Sequence, residues 1–284
     1  MMPSIRYSIQ QATKQLEPVS DSAQLDAELL LCSVLKKERS FLHTWPEREL
    51  EQSDYSLFID LLIRRIKGEP VAHILGERDF WTLNLEVTPD TLIPRPETEL
   101  LVELALEHIP QDQPVQILDL GTGSGAIALS LASERPLAHI TATDFSSAAL
   151  EVAKQNAAKH QLKNISFIQS RWFSEIPNQN FDFIVSNPPY ICEADPHLDQ
   201  GDVRFEPRSA LTSGKDGLDD IREIISQAHN YLSNHGVLLL EHGYDQADAI
   251  CDLLNNAGFE QVSDHFDYNN QPRVAIGHNK LINK

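Results

Sequence analysis

From Thr98 onward, short apolar runs alternate with stretches of helical spacing, and this limits the possible folds more than any other feature of the chain. The runs are 115–120, 139–143, 165–169, 181–186 and 236–241, with helices predicted between them, notably at 126–134, 147–160 and 218–232. Runs that are apolar almost throughout suit strands buried on both faces, so an α/β fold with a helix-covered parallel sheet is expected. After a final helix, 259–266 and 273–277 would close the sheet as a hairpin.

The first 75 residues read differently. Tyr55, Phe58, Ile59, Leu62 and Ile66 fall on one helical face, and Gly68 followed by Pro70 supplies a stop. A second helix is predicted over 22–37 with Leu25, Leu29 and Leu30 inward, and a third over 4–17. Between 76 and 96 the period changes: Phe80, Leu83, Leu85 and Val87 suggest a short hairpin. Pro89, Pro94 and Pro96 then make an irregular connector, because each fixes its own φ and restricts the residue before it. The expected organisation is a helical domain at 1–75, a hairpin and connector at 76–96, and a catalytic domain at 97–284.

Bulk properties exclude several classes. With 41% hydrophobic and 23% charged residues the chain has an ordinary globular balance. No apolar run approaches the roughly 20 residues that span a bilayer, and the first residues lack a signal-peptide core, so a cytoplasmic location is expected. Cys32, Cys192 and Cys251 are too scattered for a disulfide framework, and the eleven histidines show no ligand spacing, so no metal is assigned. A net charge of −19 weighs against nucleic acid as a partner and favours a protein acceptor.

Two loops carry the chemistry. The run ending at Asp119 leads into Gly121-Thr122-Gly123-Ser124-Gly125, a tight turn over which a ligand can lie close to the backbone, with the free N–H groups of a helix start to meet an anion. Gly121, Gly123 and Ala126 also fit the dinucleotide pattern, so the loop alone leaves the cofactor open. Asp119 favours a cationic ligand such as the ammonium of a methionine moiety, since it would repel pyrophosphate. Asp144, ending the next predicted strand, is placed to accept hydrogen bonds from ribose hydroxyls.

The second loop is Asn187-Pro188-Pro189-Tyr190, after the 181–186 run. The two prolines lack N–H donors, leaving their carbonyls for a ligand, and Asn187 offers a side-chain carbonyl. Two acceptors converging on one NH2 group would orient its nitrogen, while Tyr190 supplies a flat face for a planar amide or base. Together the loops point to an S-adenosylmethionine-dependent methyltransferase acting on an amide or amine nitrogen. The competing readings are an adenine-N6 DNA methyltransferase, an NAD-dependent oxidoreductase and a non-catalytic cofactor sensor.

These residues, with 68–76, 92–99, 201–207 and Glu241-His242-Gly243, closely resemble the protein-(glutamine-N5) methyltransferases of peptide-chain release factors, the HemK or PrmC family. The resemblance implies an N-terminal helical bundle before a Rossmann-like class I methyltransferase domain with a seven-stranded, mostly parallel sheet. It implies S-adenosyl-L-methionine as cofactor, and as substrate the glutamine of the Gly-Gly-Gln motif in bacterial class 1 release factors. By motif position, Asp119, Gly121, Thr122, Gly123, Ser124, Gly125, Asp144, Trp172 and Asn187 would meet the cofactor, with Trp172 near the adenine. Asn187, Pro188, Pro189 and Tyr190 would bind the acceptor glutamine, with Asn187 and Pro188 catalytic. One departure is Arg171, where the family often has an acidic residue suited to the adenine amino group.

Overall fold

The computed structural model describes residues 2–177 and 179–280. They form two compact units, Met1–Glu77 with Pro196–Phe205, and Arg78–Asp195 with Glu206–Lys284.

The first unit is helical: α1 (Ile5–Leu16), α2 (Ala23–Leu35), α3 (Arg39–Thr44), α4 (Gln52–Ile66) and α5 (Val71–Leu75). Ser4 caps α1 by accepting from the Tyr7 N–H at 3.3 Å. Phe58 and Leu62 of α4 are buried against Ile5, Leu16, Leu30 and Leu31, with Tyr55, Ile59 and Ile66 packed at the margin, the face its spacing predicts. In α2 the expected inward face is corrected. Leu25 is 39% exposed and Leu29 half-buried, while Asp26, Ala27 and Glu28 point inward with Leu30 and Leu31. Guanidinium groups cause the rotation: Arg65 donates to Asp26 at 2.7 Å, and Arg39 donates to Glu28 at 2.6 Å. Buried carboxylates persist when they are paired in this way. Arg65 also donates to Asp202 at 2.7 Å, which ties the distant 196–205 segment into the same unit.

In the second unit, β1 (Glu77–Phe80) and β2 (Leu83–Glu86) form a two-stranded ribbon. The main sheet uses β3 (Gln116–Leu120), β4 (His139–Asp144), β5 (Ile165–Gln169), β6 (Phe181–Ser186), β7 (Leu232–Glu241), β8 (Glu260–Phe266) and β9 (Pro272–His278), in the order β5-β4-β3-β6-β7-β9-β8. The pairs from β5 across to β7 are parallel, whereas β9 is antiparallel to both β7 and β8. The closing hairpin therefore inserts its second strand into the sheet.

Alternate residues of each strand feed opposite cores. Ile117, Val185 and Leu239 pack with Leu101 and Val102 of α6 (Glu99–His108), Leu129 of α7 (Ala126–Glu134) and Ala157 of α8 (Ser147–Lys159). Leu118, Ile184 and Leu240 pack with Ile221 and Ile224 of α9 (Asp219–Ala228) and Ile250 of α10 (Ala247–Ala257). Most expected boundaries hold to within two residues, but two move by four: α9 stops at Ala228 instead of 232, and β7 begins at Leu232 instead of 236. The Phe181 N–H donates to the Tyr231 carbonyl at 2.7 Å and Leu232 pairs with Phe181, which draws these residues into the ladder ahead of a bulge.

Candidate active site

Strand order reverses between β3 and β6, and ligands in open parallel sheets bind at such a switch, outside the carboxyl ends of the strands. Leu120 pairs with Ser186 across this junction, and the Ser186 hydroxyl donates to the Leu120 carbonyl at 2.7 Å. The glycine loop and the Asn-Pro-Pro-Tyr loop thus start side by side.

Asp119 is fully buried at the end of β3. Its Oδ2 accepts from the Thr122 hydroxyl at 2.6 Å, while Oδ1 has no hydrogen-bond partner. Burial, with the nearby Asp144 charge adding to it, pushes this carboxyl up to about 7. Asp144 accepts from the Gly123 N–H at 2.9 Å and from the Ser146 N–H at 2.8 Å, and burial raises its pKa as well.

The loop's own N–H groups are more occupied than the sequence suggests. Those of Gly121 and Thr122 donate to the Thr143 carbonyl, that of Gly123 to Asp144, and that of Gly125 to the Thr122 carbonyl. Four donors that could have cradled an anion are therefore engaged within the protein. Ser124 is buried, and its carbonyl accepts from Asn156 at 2.9 Å. Gly125 has φ +91°, and a Cβ there would meet Leu129 at 2.8 Å, so only glycine fits.

Trp172 closes this side. Its indole lies over the loop, 3.4 Å from where a Gly121 Cβ would stand, and its Nε1 donates to Asp220 at 3.0 Å. Arg171 instead donates to Glu223 on α9 at 2.7 Å, which engages its guanidinium on the surface. Phe145, directly after Asp144, is 71% exposed, an aromatic face that the sequence reading passed over.

In the Asn-Pro-Pro-Tyr loop, Pro188 is buried and Asn187, Pro189 and Tyr190 are half-buried. Asn187 Nδ2 donates to the Thr98 hydroxyl at 3.1 Å, which leaves Oδ1 as its remaining polar atom. Thr98 also hydrogen-bonds the buried Glu241, whose carboxyl is pushed up to about 7 by burial against the lowering effect of that bond and of Arg273. Burial and the Glu241 charge raise the Tyr190 phenol. The Tyr190 carbonyl accepts from Gln246 at 3.0 Å, and a Cβ on Gly217 (φ +77°) would stand 2.2 Å from that oxygen. Thr98, Glu241 and Gly217 thus frame the Asn-Pro-Pro-Tyr loop from segments far away in sequence.

Two family models match the chain: "Methyltransferase domain" over residues 111–283 and "PrmC N-terminal domain" over residues 8–76. A release factor glutamine methyltransferase of Pseudomonas aeruginosa is 53% identical over 92% of this chain and 94% of its own length. The one from Coxiella burnetii is 48% identical over 97% and 99%, and that of Escherichia coli is 49% identical over 96% and 98%. Among solved structures, a methyltransferase from Pyrococcus furiosus superposes with TM-score 0.55 at 18% identity, covering 78% of this chain and 99% of that one. A Thermus thermophilus 16S rRNA N2 G1207 methyltransferase in complex with AdoMet and guanosine gives TM-score 0.55 at 19% identity, covering 72% and 50%. At these identities the structures speak to the fold, which is that of a class I methyltransferase. Among the described residues no helix is long and apolar enough to cross a membrane.

Proposed function

The chain belongs to the release factor glutamine methyltransferase family, and from that premise we propose how its crevice divides between cofactor and acceptor. It methylates the side-chain amide nitrogen (N5) of the glutamine in the Gly-Gly-Gln motif of class 1 release factors, using S-adenosyl-L-methionine, in the cytoplasm. The observation that carries the cofactor reading is the unpartnered Oδ1 of buried Asp119 beneath a loop whose N–H groups are largely engaged. That arrangement suits an ammonium and poorly suits a pyrophosphate, which argues against the nicotinamide alternative.

In this reading Asp119 holds the methionine ammonium and the 121–125 backbone lies along the methionine moiety. Asp144 accepts from the ribose hydroxyls, and Trp172 with Phe145 offers planar faces to the adenine. When bound, S-adenosylmethionine supplies an already activated sulfonium methyl. The protein's task is then alignment at roughly 3–3.5 Å, the range in which reacting atoms are poised. Thr98 holds Asn187 Nδ2, which turns Oδ1 toward the acceptor. Oδ1 and the Pro188 carbonyl accept the two amide hydrogens and so fix the nitrogen, while Tyr190 packs against the amide plane. The nitrogen loses its proton after transfer, so no strong base has to act first.

Mass spectrometry after incubation with cofactor tests the assignment. A 14 Da gain on the glutamine of intact release factor, with none on DNA or without acceptor, is the expected result. Methylation of DNA adenine instead would reverse it.

Asp144→Ala is expected to weaken S-adenosylmethionine binding by roughly 1.5–3 kcal/mol, the range for hydrogen bonds to a charged group. It removes the ribose acceptor and also frees the Gly123 N–H that steadies the loop. Unchanged affinity by calorimetry would place the ribose elsewhere.

A glutamine side chain alone carries little information, so selectivity should come from surface beyond the pocket, and the helical N-terminal domain is proposed as that surface. A short Gly-Gly-Gln peptide should therefore show a KM at least tenfold above that of intact release factor, reflecting lost contacts of about 1.4 kcal/mol or more. Equal kcat/KM for peptide and protein would remove the need for docking.

A further inference from the structure

Trp172 is held with unusual care. Its backbone adopts φ +47°, a left-handed conformation disfavoured for a bulky side chain, and such outliers persist where the surroundings impose them. Two contacts do so. The Ser170 hydroxyl donates to the Trp172 carbonyl at 2.8 Å, and the indole Nε1 donates to Asp220 Oδ1 at 3.0 Å.

The same carboxylate reaches the other half of the site. Asp220 Oδ2 accepts from the Ser213 hydroxyl at 2.7 Å, and that hydroxyl oxygen accepts the Asp220 N–H at 2.8 Å. Ser213 is buried and donates its own N–H to the Ile191 carbonyl at 2.9 Å, while the Ile191 N–H donates to the Leu211 carbonyl at 2.9 Å. Ile191 directly follows Tyr190. A chain of three hydrogen bonds, indole to carboxylate, hydroxyl to carboxylate and amide to carbonyl, therefore joins the wall of the glycine loop to the end of the acceptor loop. Trp172 and Tyr190 also pack against the same hydrophobic core.

We propose that Asp220 is a positioning residue that couples cofactor binding to acceptor binding, by fixing Trp172 with one oxygen and, through Ser213, the acceptor loop with the other. The proposal rests on the reading that Trp172 lines the cofactor side and Asn187–Tyr190 the acceptor side. A side chain with two acceptor oxygens suits the post, because both side chains reaching it are donors. Cofactor packed against Trp172 would hold the indole on Asp220 and, through Ser213, steady the acceptor loop. Ordering one half then lowers the cost of ordering the other, and the coupling must be reciprocal.

The test uses the full-length protein and intact release factor. S-adenosylhomocysteine affinity is measured by calorimetry with and without release factor, and Trp172 emission is isolated as the difference from Trp172→Phe. In the wild type, release factor should tighten S-adenosylhomocysteine binding about fivefold or more, the usual lower range for coupled sites. Asp220→Ala should abolish that enhancement and red-shift Trp172 emission in the ligand-free protein. Ser213→Ala should abolish the enhancement while leaving Trp172 emission unchanged, since the indole keeps its acceptor. Asp220→Asn should restore much of both signals, because its Oδ1 can accept from the indole and its Nδ2 can reach Ser213. Wild-type coupling and wild-type emission in Asp220→Ala, or undiminished coupling in Ser213→Ala, would overturn the proposal while the cofactor reading stands. A wild type that binds no S-adenosylhomocysteine would overturn the cofactor reading and the coupling with it.

Discussion

Asn187→Ala is expected to slow methyl transfer to release factor on the order of 10²–10³-fold, the loss typical of removing one preorganised hydrogen-bonding group at a reacting centre. S-adenosylmethionine affinity should stay within a few-fold, because the role proposed for Asn187 is mainly on the acceptor. Its Nδ2 is engaged with Thr98, so Oδ1 is the atom whose loss matters. In the proposed arrangement the acceptor NH2 would then keep one oriented contact, at Pro188, and would rotate away from the methyl. The measurement is a single-turnover rate at saturating cofactor, paired with calorimetry. A rate within about threefold of wild type would remove Asn187 from the chemistry. A double-mutant cycle sharpens the point. Thr98→Val should reduce the rate on its own, because the Asn187 amide is then free to turn over, but should add little in the Asn187→Ala background.

Much of the candidate site was legible in the sequence because its determinants are local. A glycine at every second position after an apolar run, and a double proline after another, fix backbone shapes that do not depend on distant partners. Asp119, Asp144 and Asn187 each stand at the end of a strand whose apolar pattern gave it away. The switch-point geometry follows once β3 and β6 are neighbours.

What stayed hidden depends on side chains from elsewhere. Thr98 reaches Asn187 from another segment, and Glu241 reaches it only through Thr98, so no pattern local to the Asn-Pro-Pro-Tyr loop marks either for that role. Asp220 reads as an ordinary acidic residue in the first turn of α9 until Trp172 and Ser213 are seen donating to it. In α2 the hydrophobic pattern pointed to Leu25, but Arg65 and Arg39 pull Asp26 and Glu28 inward, and pairing outweighs polarity. The insertion of β9 between β7 and β8 is likewise a matter of register between strands, which apolar spacing leaves open. The glycine loop gave a half-right signal: its turn is as expected, yet its N–H groups face Thr143, Asp144 and Thr122.

That loop chemistry makes Asp119 the residue where stability and function should part. Its carboxyl is pushed from 3.8 up to about 7, by burial first and by Asp144 in addition. A folded-state pKa above the unfolded value means the folded chain holds the proton more tightly. The stabilisation is complete below about pH 4 and is lost as pH rises through about 7. At pH 8 the ligand-free protein therefore carries a buried charge with one unpartnered oxygen, at a cost of up to about 4 kcal/mol. Asp119→Asn keeps the shape and an acceptor for Thr122 but carries no charge at any pH. The ligand-free variant should melt several degrees above wild type at pH 8, at roughly 2–4 °C per kcal/mol for a domain of this size, and the gap should shrink to roughly half or less at pH 5, where the folded carboxyl is protonated but the unfolded one is still mostly ionised. Glu241, also pushed up to about 7, titrates in both proteins and cancels in the comparison. Binding should change in the opposite sense. The wild type should gain affinity for S-adenosylmethionine as pH rises through about 7 and Asp119 ionises. The variant should bind roughly 10–100-fold more weakly at pH 8, the equivalent of one charge-assisted hydrogen bond, with that rise abolished. Thermal melts and calorimetry at the two pH values read both halves. A variant that binds as tightly as wild type would remove Asp119 as the ammonium partner. A melting difference that is the same at pH 5 and pH 8 would mean that the carboxyl does not titrate in this range.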